Sequence, residues 1–214
     1  DQDAPPITPA QPLVNPAWLA RVHAEALAVL EETGVRCRNE EVRRLFDDTG
    51  LAAFDETTGH IHVLPPLVEQ ALATAPRREA FFVPENAFGI GGTAPFVFDD
   101  MTDGLVAPTL SHLTDIARIA DRSDAVGFMA RGVLIPGQEV AVMDTMAAHC
   151  RKPLYVAAVT DAGLDRAEEL YRQRGRMTIQ FSIINSPLNV IPAMIPPFLK
   201  CLRKGLPVYV STMP

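Results

Sequence analysis

The sequence predicts an α/β chain in which an N-terminal helical layer is followed by the first part of a TIM (β/α)8 barrel, incomplete within its 214 residues. Three observations lead there. Capped apolar stripes of helical period fill residues 16–77. From there on, short strand-like runs alternate with helical stretches, the pattern of parallel strands joined by crossovers. The last run, PVYVST, has no helix after it, and barely half of the roughly 250 residues that such a barrel takes remain beyond the helical layer.

The elements follow in order. Residues 1–15, DQDAPPITPAQPLVN, are proline-rich and aperiodic and are expected to form an extended arm. Asn15 caps a helix with Pro16 at its first position, and Leu19, Val22, Ala26, Leu27 and Leu30 form its stripe up to Gly34. Asn39 starts a second, short helix with Glu40 and Glu41 in its first turn. HIHVL alternates like a strand, and Pro65 opens a third helix that Pro76 stops. This assigns 16–80 to the helical layer and 81–214 to the partial barrel. There the runs AFFV, PFVFD, VGFMARGVL, LYVAAV, MTIQFSII and PVYVST read as strands, with helices starting near Thr109, Glu139, Asp161 and Pro196.

Composition narrows the function. A net charge of -7 argues against a phosphate backbone as partner, which needs clustered Lys and Arg. No apolar run approaches the ~20 residues of a spanning helix, so no membrane partner is expected. Cys37, Cys150 and Cys201 are odd in number and widely spaced, which fits reduced thiols in a cytoplasm. A parallel edge left bare by an early stop is an aggregation hazard, and a homo-oligomer that covers it is expected.

Motifs with their own chemistry are sparse. His60 and His62 share a strand face, but no third histidine has matching spacing, and no metal site is expected. FGIGGTAP is followed by a strand and reads as a tight turn rather than a phosphate cradle. There is no Walker lysine, no G-x-S-x-G elbow, and no lysine at a strand C-terminus, so a side-chain nucleophile is not visible and the catalytic residues stay unassigned.

Position carries the rest, because in parallel barrels function gathers at strand C-terminal ends. Those ends hold Asp99 and Asp100, Gln138 and Glu139, Thr160 and Asp161, Asn185 and Ser186, and Ser211 and Met213; Glu139 and Asp161 equally suit helix starts. Alternation points Thr178, Gln180 and Ser182 inward, along with Tyr209, Ser211 and Met213, while Met177, Ile179, Phe181 and Ile183 form the apolar face. A polar interior serves a ligand site or a self-satisfying polar network equally well. The candidate substrate-binding set is Asp99, Gln180, Ser182, Asn185, Tyr209, Ser211 and Met213.

HAEALAVLEETGVR (23–36), HVLPPLVEQALATAPR (62–77), GGTAPFVFD (91–99), SPL (186–188) and GLPVYVSTMP (205–214) together resemble the trimethylamine methyltransferase family. The resemblance runs from about residue 20 to the end. It implies a (β/α)8 barrel about twice this length and an enzyme that moves a methyl group from a small methylated amine, trimethylamine or a quaternary amine such as glycine betaine, to cobalt(I). The corrinoid is carried by a separate corrinoid protein, with no cofactor bound directly. On this reading the chain is the N-terminal half, inactive by itself. A quaternary ammonium needs no leaving-group activation, and aromatic faces suit its charge, which makes Tyr155, Phe181 and Tyr209 candidate cage members. Pro196 and Pro197 depart from the family by interrupting its longer helix after SPL. A non-catalytic half-barrel acting as an assembly or binding module is the alternative from a different class.

Overall fold

The computed structural model describes residues 15–76, 88–99 and 103–212. They fall into two compact units that divide after Ala75. No helix among them is long and apolar enough to cross a membrane.

In the first unit, helix α1 (Pro16–Ala28) starts as the sequence predicts: the Asn15 side chain accepts from Ala17 N at 2.9 Å, and Pro16 stands where no intrahelical amide is needed. A π-helical turn (Val29–Thr33) carries it to Gly34, whose φ of 75° ends it. Only glycine fits there, because a Cβ would lie 2.6 Å from the Ile61 carbonyl oxygen. Asn39 caps α2 (Glu40–Asp47) through Val42 N at 3.0 Å, and α3 (Pro65–Thr74) follows. The sequence pattern misses two short strands here. Strands β1 (Val35–Arg36) and β2 (Ala52–Asp55) pair antiparallel with either side of β3 (His60–Val63), and the alternation in HIHV buries Ile61 and Val63.

The second unit is a mostly parallel sheet with helices. Its strands are β4 (Phe88–Ile90), β8 (Val126–Met129), β10 (Leu154–Val156), β11 (Met177–Asn185) and β13 (Val208–Thr212), paired in that same order. Helices α4 (Leu110–Arg122), α5 (Glu139–His149), α6 (Asp161–Arg174) and α7 (Ile195–Arg203) fill the connections. Spatial order thus equals chain order, an arrangement compatible with part of an α/β barrel. The core lies between sheet and helices, where Leu113, Met129, Met143, Met146, Leu154, Leu164, Ile179 and Phe181 are almost fully buried.

Two strand assignments change. AFFV lies outside the described residues. PFVFD is not a strand of the parallel sheet: β6 (Val97–Asp99) forms an antiparallel hairpin with β7 (Gly104–Val106). VGFMARGVL is broken, because Gly132 takes φ 72° and turns the chain from β8 into β9 (Gly132–Val133), which pairs with β5 (Thr93–Ala94). The glycines of FGIGGTAP do make a turn, with Gly92 at φ 91° between β4 and β5. Pro196 and Pro197 sit in the first turn of α7, where a missing amide costs nothing, so they begin this helix rather than break it.

Candidate functional site

Two features meet the polar residues at the C-terminal half of the parallel sheet. The first is the sheet face turned away from the core. Register aligns Tyr155 with Thr178 and Gln180 with Tyr209, so these side chains share one face, and Ile179, Phe181 and their partners take the other. Three aromatics line up along it. Phe128 and Tyr155 rings tilt against each other at 4.5 Å, and Tyr155 meets Tyr209 edge to face at 5.8 Å. Strand β4 makes room for this row by presenting no side chain at Gly89: a Cβ there would stand 2.5 Å from Phe128 Cε1 and nearer still to Cε2 and Cζ.

Beside the aromatics lies a polar group. The Gln180 amide Nε2 donates to Ser211 Oγ at 3.3 Å, and the Ser182 and Ser211 hydroxyls bond to each other at 3.0 Å. The register shift between Phe181 and Ile184 is what brings β13 into line there. Thr178 is buried, whereas Tyr209 remains 45% exposed, so the row runs from a closed floor to an open edge.

The second feature is a cleft of ≈ 690 Å³ above the strand ends, lined by Arg131, Ile135, Gln138, Glu139, Val156 and Thr160 among others. Glu139 is held fast in its wall. Its carboxylate accepts from Val159 N at 2.6 Å, from Thr160 N at 3.1 Å, and from the Thr160 hydroxyl, which also caps α6 by accepting from Gly163 N. A Cβ on Gly163 would stand 2.5 Å from Glu139 Cδ, so glycine is what lets the carboxylate reach these donors. Burial lowers the Arg131 guanidinium from its ordinary value, and the Glu139 charge partly opposes that shift.

The other candidates divide. Gln180, Ser182, Tyr209 and Ser211 come together as described. Asn185 does not join them: it is exposed and pairs with Asn189 of β12 (Asn189–Val190), the antiparallel return of the hairpin that ends β11. The Asp99 backbone pairs with Gly104 in the β6–β7 hairpin rather than ending a strand of the parallel sheet, and its side chain lies outside the described residues, as do Asp100 and Met213. Phe181 is no cage member. It points to the core and packs edge to face on Phe198 of α7, as its place in the apolar alternation requires. Asp161 forms an ion pair with Lys200 at 2.8 Å, which lowers the carboxyl below its ordinary value.

Sequence reasoning missed Gly89, Phe128 and Arg131. The signal for the last was present, since a lone arginine inside the apolar run GFMARGVLIP demands an explanation. Burial raises both the Cys150 and Cys201 thiols, the latter to about 11, and Cys37 is buried too. His60 and His62 rings stand 6.5 Å apart, with His62 Nδ1 bonded to the Glu31 carbonyl. Among the described residues no three His, Cys, Asp or Glu side chains converge as a metal site would need.

No curated protein compared with the chain matches it. The family model described as trimethylamine methyltransferase (MTTB) matches residues 4–213. That span takes in every element above, and the chain belongs to this family of methyltransferases.

Proposed function

We propose that this chain contributes the first strands of a (β/α)8 barrel to an enzyme that moves a methyl group from a methylated amine to the cobalt(I) corrinoid of a partner protein. The observation that carries the reading is the row Phe128, Tyr155 and Tyr209 beside Gln180, Ser182 and Ser211, on the face that a closing barrel turns inward.

A quaternary or protonated methylammonium is a diffuse cation with apolar methyl groups. Aromatic faces attract it through their negative quadrupole while tolerating the methyls, and each such contact is worth about 0.5–2 kcal/mol. The adjacent hydroxyls and amide orient without a fixed charge. Corrinoid cobalt(I) is the methyl acceptor and supplies the nucleophile. The corrinoid, held by its own protein, would accept the methyl group in line, and the electron pair of the methyl–nitrogen bond would stay on nitrogen. The residues here then need only bind the donor, exclude water and hold a methyl group toward the open side. This accounts for the lack of an evident side-chain nucleophile.

The test uses the full-length protein with its corrinoid partner, reduced to cobalt(I). Trimethylamine, glycine betaine and tetramethylammonium are supplied in turn, and methylation is followed by the corrinoid absorbance. One of these donors is expected to methylate the corrinoid, with Tyr155→Ala or Tyr209→Ala raising its KM. If none of the donors works, the reading fails.

A further inference from the structure

The cleft beside Arg131 is distinct from the aromatic row, and methyl transfer as proposed makes no use of it. Its volume of ≈ 690 Å³ lies within the range of small-molecule sites, and its walls are mostly apolar. Arg131 is its cation. The residue is only partly exposed, and among the described residues nothing accepts a hydrogen bond from its guanidinium. Glu139 acts on it through charge but accepts no hydrogen bond from it, its oxygens being engaged by Val159 N, Thr160 N and the Thr160 hydroxyl, and the lining's second carboxylate, Asp144, pairs with Arg166. Three donors at the start of α6 thus absorb the Glu139 charge. Gln138 adds an uncharged side chain to the lining and makes no capping bond to α5.

An arginine in an apolar recess with unmet planar donors suits a planar anion with two acceptor oxygens. We propose that this cleft binds a small carboxylate, with Arg131 as its charged donor. Two sources share that chemistry: a free carboxylate, or the acid group of a methyl donor that also carries one.

Calorimetric titration of the full-length protein with acetate, glycine betaine and tetramethylammonium separates them. Acetate and glycine betaine are expected to bind, and Arg131→Gln to weaken both by roughly tenfold or more, the worth of one charge-assisted pair. Tetramethylammonium, with no acid group, is expected to bind wild type and variant alike. Arg131→Lys keeps the charge and recovers part of the affinity, which separates charge recognition from a folding defect. Glycine betaine tighter than acetate assigns the carboxylate to the methyl donor; equal affinities assign it to a free acid. A folded Arg131→Gln protein that binds both carboxylates as the wild type does overturns the proposal, as does their failure to bind the wild type. The titration measures binding alone, so loss of the methyl-transfer reading leaves this result standing.

Discussion

Gly89→Ala is the sharpest perturbation of the aromatic face, because it adds one methyl group at a known place. Gly89 has an ordinary backbone conformation, so alanine is allowed there, and in a strand the exchange by itself favours folding by roughly 0.5–1 kcal/mol. Against that, the new Cβ would stand 2.5 Å from Phe128 Cε1 and nearer to two further ring atoms. Carbon atoms rest about 3.5–4.0 Å apart, and the nearest ring atom, Cζ, would lie well inside that, so the ring must withdraw by roughly 1.5–2 Å. Tyr155, at 4.5 Å from the Phe128 centroid, stands in contact with that ring. Overpacking by this much stands at the upper end of its usual cost, about 3 kcal/mol, leaving a net loss of about 2–2.5 kcal/mol, or roughly 4–10 °C in Tm for a chain of this length. The double variant Gly89→Ala, Phe128→Leu removes the clash, and a thermodynamic cycle with the single variants is expected to show favourable coupling of at least about 1 kcal/mol. Urea unfolding of the four proteins measures it. A Gly89→Ala protein no less stable than the wild type, or a cycle with no coupling, would refute the packing argument.

Two further outcomes follow from the ionic groups. Arg174 donates to the carbonyls of Ala147, Cys150 and Lys152 at 2.8, 2.7 and 3.3 Å, so Arg174→Met strands the end of α5 and is expected to cost about 2–4 kcal/mol, read by urea unfolding. Asp161 and Glu168 are held below their ordinary carboxyl values, first by hydrogen bonds from Lys200 and Lys204 respectively. A carboxyl lowered on folding stabilises above its unfolded value, about 4, and that contribution is lost as pH falls through the folded value. Tm is therefore expected to drop below pH 4, and Lys200→Gln with Lys204→Gln to flatten the drop; an unchanged slope would exclude these pairs as its source.

What the sequence disclosed tracks how local its cause is. Asn15, Asn39, Thr109 and Thr160 cap helices through their own next turn, and such starts were legible. So was the parity of MTIQFSII, since burying Ile179 and Phe181 on one face leaves Gln180 and Ser182 on the other. The hairpin of PFVFD was not, because pairing antiparallel with Gly104–Val106 or parallel with a distant strand leaves the same alternation in five residues. Nor was the Gly89–Phe128 fit, which depends on two strands 39 positions apart meeting in one register. Asp99 and Asn185 stood at strand ends by sequence, but β6 pairs in a hairpin outside the parallel sheet, and Asn185 lies where β11 returns antiparallel into β12.

The order β4-β8-β10-β11-β13 has a consequence for how the chain is made. Among the described residues each parallel strand leaving the ribosome finds its neighbour already synthesised, and none waits for a later one to be inserted between two earlier ones. Each pairing closes across a single crossover rather than across the whole chain, and the nascent sheet grows from one edge as translation proceeds. At any moment during synthesis only the newest strand presents a bare edge on the growing side.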